Sequence, residues 1–124
     1  MIRASGGPCR TGKAVITSGG NMKARFIIHT VGPVWFDHTA EEADRLLADC
    51  YRNSLALAVQ NSIRTIAFPA ISTGVYGFPK DRAARIAVQT VREWIDGNPD
   101  AIREIAFVCF DEDTEKLYIR QMEI

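Results

Sequence analysis

The sequence has no excess of either charge, no paired cysteines and no long apolar run, and each absence removes a class of function. Fifteen basic residues balance fifteen acidic ones, so no basic surface points to nucleic acid and no acidic arm to a solvating tail. The three cysteines, Cys9, Cys50 and Cys109, are an odd number with neither a CxxC nor a Cys/His ligand spacing. They read as buried or incidental thiols of a reducing compartment, not as a disulfide frame or a zinc site. No apolar stretch is long enough to span a bilayer, and "MIRASGGPCR" lacks the apolar centre of a signal peptide. The expectation is a soluble cytoplasmic domain with no membrane partner. With 124 residues, 47% of them apolar, the chain can bury one ordinary core and reads as a single domain over 1–124.

What is present is an alternation of strand and helix patterns, with no internal repeat, low-complexity tract or linker. "KAVIT" at 13–17 is a short β-branched strand closed by the turn "SGGN", and "ARFIIHTVGP" at 24–33 is a longer one ended by Gly32 and Pro33. The nearly continuous apolar character of the second predicts burial on both faces. Then the period changes: Ala43, Leu46, Leu47, Cys50, Tyr51, Ser54, Leu57 and Ala58 lie on one helical stripe, with Thr39 and Glu42 as a capping box. "RTIAFPAI" at 64–71 returns to strand. A second helix runs from Lys80 to about Ile95, where "DGNP" stops it, with Ala84, Ala87, Val88, Val91 and Trp94 as its inner face. "EIAFVCF" at 104–110 is another strand, and "DEDTEKLYIRQM" a final helix with acids at its start. This order predicts an α/β layer around a mostly parallel sheet, whose ligands bind beyond the carboxyl ends of the strands. The segments after Ile71 and after Phe110 both reach that rim.

"PAISTGVYGFP" at 69–79 is the most informative loop. Gly74 and Gly77 remove Cβ atoms, Ser72 and Thr73 bring hydroxyls, and Pro79 suits the first position of the next helix. Backbone N–H groups of such a turn, with the following helix start, can hold a phosphate, and Tyr76 would sit beside it. The bland alternative is a tight strand-to-helix connection that binds nothing. "GPCRTGKA" from Gly7 to Ala14 fits G-x-x-x-x-G-K, but Ala14 stands where a Ser or Thr must ligate Mg²⁺ and a strand follows Lys13, so a P-loop is rejected. His29 reads as a satisfied interior histidine, and His38 carries no signal. Asp111, Glu112 and Asp113 have a structural reason as helix-start acids, although one could serve as a carboxylate on the rim. Phe110 either stacks on a base or packs in the core. Trp35 reads as a loop anchor and Trp94 as helix core.

Taken in order, "PCRTGKAVIT", "FIIHTVGPVW", "CYRNSLALA", "IAFPAISTGVYGFP" and "FVCFDED" resemble a macro domain, the ADP-ribose-binding module, over nearly the whole chain. The resemblance is nearest to the bacterial and mitochondrial branch that removes acetyl or protein groups from ADP-ribose. It implies a three-layer α/β/α fold with a mixed sheet. It also implies that the loop matching Ser72, Thr73, Gly74, Val75, Tyr76 and Gly77 wraps the diphosphate and distal ribose. Tyr76 would pack beside that ribose near the bond to be hydrolysed, which makes it the candidate catalytic-site residue. Phe110 would lie near the adenine. No carboxylate here matches the family's catalytic position; Asp111, on the same rim, is a further ligand candidate and the runner-up base read from the chain itself.

The same comparison shows what has no counterpart in this sequence: the family's first two strands, its adenine-binding Asp, its "NAAN" segment and its first Gly-rich loop with "GVDGAI". "MIRASGG" is matched to the helix after that loop. The expectation is therefore a domain incomplete at its N-terminus, with one wall of the ligand cleft and a gap in the sheet between the strands of 24–31 and 64–70. Backbone groups at such a gap are costly unless the strands pair directly or a second chain fills or covers it. Three functions follow as alternatives: hydrolysis of an ADP-ribose ester such as O-acetyl-ADP-ribose or an ADP-ribosylated carboxylate, binding of ADP-ribose without turnover, or a folded fragment with an inactive site. The partners implied are ADP-ribose or a derivative, an ADP-ribosylated protein, and a homo-oligomer covering the exposed sheet. No metal, redox cofactor or nucleic acid is implied.

Overall fold

Each described strand pairs with the strand next to it in the chain, the last two across an intervening helix, and that decides the architecture. The structure, a computed structural model, describes residues 3–4, 7–20 and 25–123. β1 (Arg3–Ala4) and β2 (Gly7–Pro8) form a two-residue antiparallel ladder. The segment matched to a helix is thus extended where it is described, because glycine and proline at positions 7 and 8 both oppose helix. β3 (Ala14–Ser18) pairs antiparallel with β4 (Phe26–Thr30); the turn expected between them runs into residues 21–24, outside the described residues. A single 3₁₀ turn, Trp35–Asp37, leads to α1 (Ala40–Gln60). β5 (Thr65–Pro69), α2 (Lys80–Gly97), β6 (Glu104–Val108) and α3 (Glu112–Met122) follow, and β5 pairs parallel with β6.

Among the described residues no strand links β4 to β5; β3–β4 and β5–β6 are separate pairs. The gap expected from the sequence is therefore open, and the two flanking strands do not close it by pairing with each other. This also corrects the burial expected of 24–33: every residue of β4 is only half-buried, because one of its edges has no neighbouring strand. β5 and β6 alternate instead. Ile66, Phe68, Ile105 and Phe107 turn to the helices, whereas Thr65, Ala67, Glu104, Ala106 and Val108 are exposed on the other face.

α1 holds the two pairs together. Its N-terminus is capped by Thr39, whose Oγ1 accepts from the Glu42 N–H at 3.2 Å. The capping box has only this arm, because Glu42 Oε1 lies 2.5 Å from His38 Nδ1. Toward β3–β4, Asn53 Nδ2 donates to the Gly12 carbonyl at 2.6 Å, and Cys50 Sγ sits 3.4 Å from the Val31 carbonyl. Toward β5–β6, the buried Tyr51 ring stacks at 4.9 Å on Phe68, and the aromatic run continues through Phe107 to Tyr118 of α3. Ala84, Ala87, Val88 and Val91 of α2 close the core from the side. The larger of these buried apolar side chains contribute about 1.5–3 kcal/mol each and the alanines roughly 0.8, and the tilted ring pairs add about 0.5–1.5 kcal/mol each.

Because Phe68 joins helix and sheet, Phe68→Ala should lower unfolding free energy by about 3–5 kcal/mol, read as a fall in the urea midpoint. Val108→Ala on the exposed face should change it by no more than about 0.5 kcal/mol. Equal losses from the two would show that the ring run does not organise the core.

Candidate functional site

The loop between β5 and α2 is held by backbone bonds that leave its outer side open. The Phe78 N–H donates to the Ser72 carbonyl at 2.9 Å, and the Gly77 N–H to the Gly74 carbonyl at 3.0 Å. Thr73 Oγ1 reaches back to the Ala70 carbonyl at 3.4 Å. From across the rim, the Trp35 N–H donates to the Tyr76 carbonyl at 2.9 Å. Trp35 packs on Phe78 with ring centroids 4.9 Å apart, and the Arg82 guanidinium lies over the Trp35 ring at 5.5 Å from its centroid. Arg82 is itself fixed by a two-pronged bond to Asp44 at 2.7 and 2.6 Å. Trp35 is the loop anchor its position suggested.

The two glycines of the loop differ. Gly77 has φ +75°, and a Cβ there would meet the Phe36 ring at 2.8 Å, so the fold itself requires it. Gly74 has no left-handed φ, and a Cβ there would meet nothing within 4 Å. Its missing side chain is not explained by the protein's own packing. Ser72, between them and the strand, adopts φ +66°, a conformation costing a non-glycine residue about 1–3 kcal/mol. Its Oγ is buried without a hydrogen-bond partner. Gly32 makes room for it: a Cβ on Gly32 would lie 2.0 Å from that oxygen. Sequence reasoning missed both Gly32, whose reason lies forty residues downstream in space, and Phe36, 81% exposed against Gly77; neither had a local signal.

The second segment of the rim comes close. Lys80 Nζ, at the start of α2, is 3.9 Å from Asp111 Oδ2. Asp111 Oδ1 accepts from the Thr114 N–H at 2.7 Å as the cap of α3, and that bond holds its carboxyl below the usual carboxylate range. Phe110 lies beyond the end of β6, not on it, and is 85% exposed, which removes core packing as its role. Val75 is 99% exposed and Tyr76 37%. Thus Ser72, Thr73, Gly74, Val75, Tyr76 and Gly77 form one loop, with Asp111 joined to its far end through Lys80. Pro79 is the residue before α2 and not its first residue, and no side chain caps that helix.

The other sequence candidates resolve structurally. Lys13 leads into β3, and the Gly12 N–H donates to the Val31 carbonyl at 2.9 Å, so the stretch from Gly7 begins as β2 and ends in a turn at Gly12 that packs on α1. His29 Nε2 bonds Thr17 Oγ1 at 2.8 Å. All three cysteines are free thiols, and burial pushes that of Cys50 up.

The Macro domain family model matches residues 1–87. The chain belongs to the Macro domain family. It is 55% identical over 113 residues to a macro domain-containing protein of Listeria monocytogenes, covering 90% of this chain and 64% of that one. It is 55% identical over 119 residues to the O-acetyl-ADP-ribose deacetylase of Escherichia fergusonii, covering 96% of this chain and 66% of the relative. The chain thus spans just under two thirds of the length of these curated relatives. Among solved structures, the Oceanobacillus iheyensis macrodomain with ADP superposes with a TM-score of 0.86 at 43% identity, over 92% of this chain and 58% of the other. A Trypanosoma brucei macrodomain in complex with ADP does so with a TM-score of 0.83 at 38% identity, over 92% and 46%. The fold is accordingly the three-layer α/β/α class of macrodomains, of which the described residues supply the strand pairs and one helical layer.

In this macrodomain chain the two loop glycines should separate in a thermal melt. Gly77→Val should lower the transition by several degrees, because it adds both a strained φ and a clash. Gly74→Val should leave the transition unchanged within about 0.5 kcal/mol. A matching loss at Gly74 would mean that the fold needs that glycine after all.

Proposed function

We propose that the chain is an ADP-ribose-binding domain of the lineage that hydrolyses ADP-ribose esters such as O-acetyl-ADP-ribose or ADP-ribosylated carboxylates. The observation that carries this reading is Gly74: a loop position kept free of a side chain that neither backbone conformation nor packing demands. Space at that point admits a ligand to the backbone N–H groups of the turn, where a diphosphate finds preorganised donors. Ser72 Oγ, buried and unpartnered, supplies a further donor once the loop adjusts. Tyr76 places the distal ribose, Phe110 offers an exposed ring for the adenine, and Asp111 adds a polar contact at the same rim. Water is the nucleophile of the reaction, and the domain acts in the cytoplasm without a metal or redox cofactor. ADP-ribosylated proteins are a second source of the same ligand, and association of two copies would cover the bare sheet.

Binding without turnover is the alternative for this chain, and the state of Asp111 favours it. The carboxylate is committed to the cap of α3 and to Lys80, and a low proton affinity makes it a weak general base.

Isothermal titration of the 124-residue chain with ADP-ribose, and with AMP as control, tests the reading. Saturable heat with ADP-ribose and none with AMP is expected, and Gly74→Val should weaken binding at least about tenfold, roughly 1.4 kcal/mol. A folded chain that gives no heat, or a Gly74→Val variant that binds as well as the parent, overturns it. Hydrolysis of O-acetyl-ADP-ribose then separates the two readings. If turnover is present, Tyr76→Ala should lower it, and a rate unchanged by Tyr76→Ala would remove that ring from the reaction.

A further inference from the structure

Among the described residues, the turn after β5 is tied to the rest of the backbone at one point. Two of its bonds, from the Phe78 N–H to the Ser72 carbonyl and from the Gly77 N–H to the Gly74 carbonyl, close it on itself. The bond that crosses to another segment runs from the Trp35 N–H to the Tyr76 carbonyl at 2.9 Å. Trp35 opens the 3₁₀ turn Trp35–Asp37, which has no buried residue and no side-chain cap. So short a turn holds little shape by itself, and the position of that N–H depends on what the Trp35 side chain packs against.

The Trp35 ring is held by two groups. Phe78, 2% exposed, meets it at a centroid distance of 4.9 Å and an angle of 56°. The Arg82 guanidinium stands over it, 5.5 Å from the centroid, within reach of the attraction between a cation and a ring face. The arginine is not free to wander, because its Nε and Nη2 donate to Asp44 Oδ1 and Oδ2 at 2.7 and 2.6 Å. Two parallel bonds between planar groups fix the orientation of the guanidinium, which a single bond would not do. Asp44 belongs to α1 and Arg82 to the first turn of α2, so both helices set the cation that covers the indole. With 32% of the Arg82 side chain and 27% of Asp44 exposed, the pair adds little to overall stability. Its geometry matters more for what it holds than for the energy of the bridge.

We propose that Asp44 and Arg82 are positioning residues for the ligand turn: acting through the Trp35 ring, they hold the Trp35 N–H where it fixes the Tyr76 carbonyl and so keeps the open side of Ser72–Gly77 in shape. This role rests on the reading of that turn as an ADP-ribose cradle, and it requires neither residue to touch the ligand. Backbone donors hold an anion only while they stay aimed at it, and ordering a loose turn at the moment of binding costs affinity. The pair supplies that order beforehand, from outside the cradle.

The test reads the turn first without a ligand. Amide hydrogen exchange followed by NMR reports the Trp35 N–H directly, with the buried Leu55 of α1 as the measure of overall stability. Arg82→Gln and Asp44→Asn should each lower Trp35 protection at least about tenfold more than that of Leu55. In a Trp35→Leu background, Arg82→Gln should change the protection of residue 35 by less than about twofold, since the ring it acts through is gone. The exchanged pair, Asp44→Arg with Arg82→Asp, separates positioning from a plain bridge between helices. It restores the ion pair but sets a carboxylate against the indole face, so it should recover the melting transition and leave the Trp35 amide unprotected. In titrations with ADP-ribose, both single variants should bind at least about fivefold more weakly than the parent. The role is overturned if the exchanged pair recovers Trp35 protection, if Arg82→Gln acts as strongly without the ring, or if the single variants bind ADP-ribose as tightly as the parent. A parent chain that binds no ADP-ribose overturns the function proposed for the turn, whereas the exchange pattern still decides whether Asp44 and Arg82 hold it.

Discussion

Among the described residues β3–β4 and β5–β6 share no ladder, so the rest of the described structure depends on α1 holding these two pairs side by side. Sheets normally set the spacing of their own strands through the ladder. Here a single helix does so, through Asn53 and Cys50 toward Gly12 and Val31 and through Tyr51 toward Phe68. Apolar burial, which is strong but not directional, carries the link on the β5 side, and the Asn53 bond fixes it on the β3 side.

The loop after β5 inherits its position from this arrangement. Phe68 fixes the strand, and the bond from Trp35 to the Tyr76 carbonyl fixes the far side of the turn. Arg82 and Asp44 then clamp the anchor from the helices. The strained conformation of Ser72 is tolerated because its neighbours determine it from several directions, and strain of that kind gathers at binding sites. The distinction between Gly77, which the fold requires, and Gly74, which it does not, is the clearest sign that the loop is shaped for something outside the chain.

Local signals in the sequence were read correctly where a period or a cap carried them. The stripe from Ala43 to Ala58 marked α1, the run beginning at Lys80 marked α2, and Thr39 and Asp111 are the caps their spacing implied. His29 and the stretch at Gly7 also resolved as structural, for reasons visible in their neighbours: an apolar strand around the one, a strand after the other. Burial of β4 was misjudged because apolar content reports what a strand can bury, not whether a neighbour arrives to cover it. Phe110 was undecided because a residue just past a strand end has no periodicity to read.

The sequence alone determined the order of elements, the family and the loop that carries its most specific residues, because each is written in contiguous stretches of chain. Tertiary structure decided what contiguous stretches cannot encode. Gly32 is needed because Ser72 folds back onto it, Phe36 is held against Gly77, and Arg82 meets Asp44 and the Trp35 ring. These are meetings between residues far apart in the chain, and they exist only once α1 has set the distance between β3–β4 and β5–β6.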